Sequence, residues 1–348
     1  MAVGDSALLA GLSYLAIGRE TTTGTYSTCT AGLDFISSTV KTQQDSRIIE
    51  QIERKRSYSK RIQLGKNVAG DIEWYFRPLE TADAFILQNA FGGTVTSSTA
   101  AGETTGGAAF SHVFEIGNMD QSYGSMCINI RKGPSTGGKV FQYSGVRVNE
   151  LTVSGAVDEP LMMAASVIAI DSTQNTNDIQ SALTCTANPI LSFVNGRLSV
   201  EGTFASLTST SFWHIQSFEF QLSNNLKAGT ESRRIGSDVL SVLPPGMQTY
   251  QLSATIRFDT STAFDAMIAE TEYGAEIEFT GVTIGTSVIK QGFLLEFQKL
   301  QIKDAGDPEI SGPDGILTSQ VVFDVLRDES ASGYAVQATV TNDTSGYS

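Results

Sequence analysis

Gly70-Asp71-Ile72-Glu73-Trp74-Tyr75-Phe76 alternates polar and apolar side chains over the length of one strand. Successive side chains of a strand point to opposite faces, so the pattern describes a strand with one face in a core and one outside it. A few residues on, Asp83-Ala84-Phe85-Ile86 lies in a short helical periodicity over 80–90. Ala84, Leu87 and Phe91, or Ile86 and Ala90, share one side of it. The same succession returns 182 residues later, where Asp265-Ala266-Met267-Ile268 follows the alternating segment 252–258. At that spacing Phe258 matches Phe76, and Tyr273-Gly274 matches Phe91-Gly92. Each helix is also preceded by a further strand, containing Leu33-Asp34-Phe35-Ile36 in one case and Phe218-Glu219-Phe220-Gln221 in the other. Each is followed by a strand pair, ending at 164–171 and at 320–328. The chain therefore reads as two copies of a β-β-α-β-β unit.

Other alternating segments, at 146–153, 275–279 and 294–302, extend the same reading. The expected fold is mainly β: two tandem β-sandwich or half-barrel domains, each with one short α-helix. Residues 1–30 form an N-terminal segment and first strand, and 31–172 the first domain. The turn-rich stretch 173–189 is the linker, and 190–348 the second domain. Residues 94–109, rich in Gly, Ser, Thr and Ala, are expected to be a mobile loop.

Composition narrows the function. Only 17% of the 348 residues are charged, against roughly 25% in an ordinary soluble protein, and 41% are apolar. Sparse charge with 18 Phe and 10 Tyr excludes disorder over most of the chain. Cys29, Cys127 and Cys185 are an odd number at wide spacing, which implies no disulfide framework; they read as small buried apolar groups. The two His, His112 and His214, lie in no zinc-ligand spacing, and His214 beside Trp213 reads as a packed residue. The apolar run 7–17 follows Asp5 without a basic residue and is too short to span a bilayer. The expectation is a soluble chain from a reducing compartment, with no membrane contact, cofactor or metal. Asp304, Asp307, Glu309 and Asp314 lack the EF-hand pattern and read as a solvated loop. Alternating carboxylates such as Glu270/Glu272 and Glu276/Glu278 read as strand decoration rather than an acid/base pair, so no catalytic residue is assigned.

Charge is segregated. Residues 41–66 hold eight basic and three acidic residues, a surplus of +5; against a total of −14 this leaves −19 on the remainder. So acidic a remainder argues against tight binding of nucleic acid through phosphate neutralisation.

Three segments together resemble a known family. Tyr14-Leu15-Ala16-Ile17-Gly18-Arg19-Glu20-Thr21-Thr22-Thr23-Gly24-Thr25 resembles the opening of major tail tube proteins of long-tailed, non-contractile bacteriophages. Gly65-Lys66-Asn67-Val68-Ala69-Gly70-Asp71-Ile72-Glu73 resembles that family's strand after its basic loop. Tyr143-Ser144-Gly145-Val146-Arg147-Val148-Asn149-Glu150-Leu151-Thr152-Val153 resembles a later strand of the family. The second copy lacks the Gly-Arg-Glu opening, has a shorter loop with only Arg233-Arg234 as a basic pair, and carries Pro244-Pro245.

The resemblance implies tail-tube-like domains of the duplicated type and a structural role without enzymatic activity. Subunits would self-assemble into stacked rings around a hollow channel through which the DNA genome passes during ejection, without being specifically bound. Two fused copies imply trimeric rings with pseudo-six-fold symmetry, with hexameric rings as the alternative. Other tail proteins would meet the tube ends, and the protein would reside in the virion tail after assembly in the host cytoplasm. Arg47, Arg54, Lys55, Arg56, Lys60 and Arg61 are the expected inter-ring contact loop. Asp71, Glu73, Glu276 and Glu278 are the candidate channel-facing acids. A tail-tip or baseplate ring protein of the same fold is the first alternative; a β-sandwich adhesin or carbohydrate-binding module is the second.

Overall fold

The computed structural model describes residues 10–50, 57–58, 60–103, 109–119, 125–135, 138–183, 189–208, 213–257, 268–306, 316–330 and 333–347. It is mainly β and antiparallel. The first half begins with β1 (Tyr14–Arg19), β2 (Ala31–Leu33), β3 (Ser37–Ser38), β4 (Lys41–Ile48) and β5 (Arg61–Tyr75). It continues through α1 (Thr81–Phe91), β6 (Gly92–Thr99), β7 (Phe110–Ile116) and β8 (Met126–Lys132). It ends with β9 (Lys139–Ala156), β10 (Met162–Ala169) and β11 (Asp171–Asn175). The second half contains β12 (Gly196–Glu201), β13 (Ile215–Ser223), β14 (Thr249–Arg257), β15 (Glu272–Thr283), β16 (Lys290–Ala305), β17 (Thr318–Leu326) and β18 (Gln337–Asn342).

Two long strands organise the pairing. The first part of β9 lies between β8 and β11, and its second part lies between β10 and β13. The first part of β16 lies between β15 and β18, and its second part on β17. The order β4–β5–β10–β9 thus recurs as β13–β14–β17–β16, and β1–β8–β9–β11 recurs as β12–β15–β16–β18. Both long strands carry an irregularity against the following strand, between Ser166 and Val167 in one pair and between Ile302 and Asp304 in the other. Aligning the two irregularities sets Val148 against Ile302, then Val167 against Phe323, and Gly70 against Leu252. Gly70 and Leu252 are 182 residues apart, the spacing that also separates Asp83 from Asp265.

The first-order strands of both halves form one run of eight: β3/β4–β5–β10–β9–β13–β14–β17–β16. On one face Trp74, Met163, Val153, Phe220, Leu252, Phe323 and Ile302 stand directly opposite one another across seven strands, all buried. They belong to a single apolar cluster that extends from Leu15 to Val340 and joins both halves. Burial on this scale, at roughly 25 cal/mol per Å², is what holds the two halves as one body. The last strand, β18, pairs with β7 of the first half and closes the same core from the other side.

Several sequence expectations change. Residues 94–99 are not loop but part of β6, paired with β7, because Thr and Val favour extended backbone once a partner strand covers them. Helix α1 is buried all round, Asp83, Gln88 and Asn89 included, rather than on one stripe. Its expected twin at 265–268 lies outside the described residues except Ile268, which is helical. Leu33-Asp34-Phe35-Ile36 is not the counterpart of Phe218-Glu219-Phe220-Gln221: the strand beside β5 starts at Ser37, and register sets Ser38 against Phe218. Residues 173–175, at the start of the expected linker, belong to strand β11 on β9.

Candidate assembly surfaces

The face opposite the core is mainly polar, with Met162 and Ala164 of β10 as apolar exceptions. Ser37, Glu73, Ala164, Thr152, Gln221, Gln251, Asp324 and Gln301 form one unbroken cross-strand row. The neighbouring rows add Asp71 opposite Ser166, Glu150 opposite Ser166 and Ser223, Glu219 opposite Ser154 and Ser253, and Asp304 opposite Val322. The central rows therefore carry carboxylates from both halves. Cations share this face. Lys303 Nζ is 3.5 Å from Asp324 of the central row, Lys299 and Arg257 lie on the same side of β16 and β14, Lys41 is exposed at the start of β4, and Arg147 turns its guanidinium to the Leu243 carbonyl.

The expected channel-facing acids divide. Asp71 and Glu73 are on this face, exposed, accepting hydrogen bonds from Thr39 Oγ1 and Ser37 Oγ at 3.4 and 2.9 Å. Glu276 and Glu278 are not. They lie on β15, outside the eight-strand run, and Arg197 pairs with them at 3.0 and 2.7 Å. Sequence alternation found Asp71 and Glu73 but could not add Glu150, Glu219 and Asp324, because sharing a face depends on register between distant strands.

The run of eight is joined in its middle by β9 and β13, which supply one strand from each half. Ser217 to Ser223 pair with Ala156 to Glu150. The corresponding positions at the two ends have no strand partner among the described residues: the outer side of β3 and β4, and the edge of β16 beyond Gln301. Unpaired edges of this kind are templates for another strand.

The expected contact loop is a two-stranded ribbon made by β4 and the first part of β5. Arg47 lies opposite Ile62, and Arg47, Lys60 and Arg61 are exposed; Arg54, Lys55 and Arg56 lie outside the described residues. The ribbon also exposes Ile48, Tyr58, Ile62 and Leu64, apolar side chains that the charge count had hidden. At its base Lys66 reaches Asp171 and Asp238 at 3.7 and 3.5 Å. Arg233 donates to the Lys66 carbonyl at 2.7 Å, so this arginine of the second half anchors the ribbon instead of adding a second basic surface.

A family model for phage tail tube proteins matches residues 12–333. The chain belongs to the phage tail tube protein family. No curated protein sequence matches it significantly. It is thus a structural component of a bacteriophage tail, and the resembling segments now have physical roles within a tube protein.

In this tube protein the Gly-Arg-Glu opening is a clamp. Glu20 is buried and accepts from the Gly145 and Gly24 amides at 2.7 and 2.8 Å and from Ser125 Oγ at 2.8 Å, tying the opening segment to the Tyr-Ser-Gly strand. Arg19 lies over the Phe85 ring at 4.4 Å and donates to the Tyr347 carbonyl at 2.9 Å, joining β1, α1 and the C-terminal segment. His112 is buried between Ser97 Oγ and Asn342 Oδ1, at 2.8 and 3.0 Å, and burial pushes its pKa down. The start of α1 holds an unforeseen acidic pair. Burial raises the Glu80 pKa to about 7 against the pull of Arg77, and holds Asp83 well above the carboxylate range, with Glu80 adding to it. Among the described residues no group of three or more His, Cys, Asp and Glu is placed to hold a metal ion.

Proposed function

We propose that this chain is the tube subunit itself, built from two fused tube units, and that it closes into rings by repeating between chains the junction it already makes within itself. The supporting observation is the β9–β13 pairing, which joins the two halves edge to edge while keeping one polar face continuous. Carrying that register to the free edges sets Lys41 opposite Gly306, Thr42 opposite Ala305 and Gln43 opposite Asp304 of the next chain. Lys41 and Asp304 then face each other diagonally with opposite charge. A heterologous contact of fixed rotation closes into a ring. Two units per chain make three chains a pseudo-six-fold ring of the non-contractile tail type.

The polar face then lines the channel. Asp71, Glu73, Glu150 and Glu219 give that wall negative charge, which repels phosphate and lets DNA pass without being held. The segment bearing Arg47, Arg54, Lys55, Arg56, Lys60 and Arg61 docks on the adjacent ring through charge and through Ile48, Tyr58, Ile62 and Leu64. Other tail proteins cap the ends. Assembly takes place in the host cytoplasm, and the protein performs no catalysis.

Electron microscopy of the purified full chain at high concentration tests this reading. Long hollow tubes with three chains per ring are expected. Six chains per ring would overturn the fused-unit count. Rings that never stack would assign the protein to a tail tip or baseplate, and single chains at every concentration would overturn self-assembly.

A further inference from the structure

Two thiols 98 residues apart in sequence meet just beneath the surface of the first half. Strands β1 and β8 pair with Gly18 directly opposite Cys127, and the segment 27–29 crosses over that pair. A β-carbon at Gly18 would lie 2.8 Å from the Thr28 carbonyl oxygen, 3.0 Å from Cys29 Cα and 3.0 Å from Cys127 Sγ. The missing side chain is what admits the crossing. It leaves the two Sγ atoms 3.2 Å apart, with Cys29 1% and Cys127 0% exposed. They share a buried cluster with Tyr14 and Ala16, against which partly buried Tyr26, Ile179 and Leu183 pack, and the adjacent Thr28 is exposed. The pair thus lies one side chain below solvent, and its sulfurs must approach by roughly 1 Å to reach bonding distance.

We propose that Cys29 and Cys127 form a redox modification site, oxidised by a peroxide to an intrachain disulfide that staples the segment 27–29 to β8. The contact between the sulfurs polarises them: chiefly through it, the Cys127 thiol is pushed down and the Cys29 thiol up. Either sulfur can give its proton across the contact; by the route through Cys127, that thiolate attacks first. Its sulfur takes one oxygen of hydrogen peroxide as the O–O bond breaks, giving a sulfenic acid and, after protonation, water. The Cys29 sulfur then displaces that oxygen as a second water and forms the S–S bond. Two thiols and one peroxide give one disulfide and two waters. A tail protein passes from a cell interior that keeps thiols reduced to surroundings that do not, so the staple closes after assembly.

The purified full chain is treated with hydrogen peroxide, alkylated in denaturant and mapped without reduction. The expected result is a fall from three free thiols to one. A single cross-linked peptide pair should join residues 29 and 127, reversed by dithiothreitol, and the oxidised form should melt several degrees higher than the reduced form. Cys185→Ser leaves the pair intact and must still form the bond. In Cys29→Ser the reaction stops at a Cys127 sulfenic acid that dimedone traps. Three free thiols after treatment, a bond to Cys185, or a bond between chains overturns the proposal.

Discussion

The segments 41–69, within β4 and β5, and 224–248, between β13 and β14, both join the first two strands of a four-strand set, and they do opposite things. The first is a ribbon exposed along most of its length, with strands paired to each other and little else. The second folds back. Leu240 and Leu243 are buried with Ile170, and buried Asn224 donates to the Ala90 and Val148 carbonyls at 2.9 Å each. Its Arg233 grips the base of the ribbon, where a β-carbon at Gly65 would lie 2.0 Å from Arg233 Nη1. The strand order around them is alike in both halves, so the difference lies in the segments themselves. The shorter one buries Leu240 and Leu243 against Ile170 and is drawn onto the sheet; the longer one pairs its strands with each other and leaves Ile48, Ile62 and Leu64 in solvent. One scaffold used twice can thus present one reaching arm and one socket that steadies it.

The largest effect should come from the scaffold edge that both halves share in kind. Thr39 donates its N–H to Asp71, so alternation turns the N–H of residue 42 away from β5 and toward the free edge. Thr42→Pro should abolish rings and tubes under the electron microscope while circular dichroism stays that of the folded chain. Next comes the arm. Neutralising Arg54, Lys55 and Arg56 together to Gln should cut tube yield roughly tenfold and leave the urea midpoint unchanged. Raising salt to about 0.5 M should weaken wild-type stacking in the same direction.

Smaller effects test the anchoring side of the contrast. The raised carboxyl of Glu80 favours the folded state below its unfolded pKa, and that contribution is lost as pH rises toward about 7. Urea unfolding should therefore show Glu80→Gln flattening the pH dependence between pH 5 and 8 by about 2–3 kcal/mol. Arg233→Ala removes the socket's grip on the Lys66 carbonyl and should cost about 1–2 kcal/mol. Amide exchange in β4 and the start of β5 should quicken in that variant, with little change in β13 and β14.

Legibility in the sequence followed distance along the chain. The strands containing Ile72, Val148, Phe220, Ile277 and Leu295 were readable because alternation is a local property of side chains on a pleat. The basic segment was readable because charge is counted along the chain, and the 182-residue spacing because two local patterns can be compared at any separation. Glu276 and Glu278 showed the limit: they alternate as cleanly as Asp71 and Glu73, yet they stand on another strand and share Arg197, 79 residues from Glu276, as an ion-pair partner. Arg233 looked like a weakened copy of the arm and is its anchor. The fully buried helix was misjudged as amphipathic because Asp83 and Asn89 look like solvent residues until Arg77 N and Val148 N are found bonded to them.

The sequence by itself determined that this chain is built of half-buried strands and that positive charge is gathered in one excursion, since periodicity and charge are local. Tertiary structure alone decided which carboxylates share a wall, which edges stay open, which arginine turns inward and that Gly18 lets two distant sulfurs touch. Each of these depends on cross-strand register, and a shift of one residue would send every side chain to the opposite face.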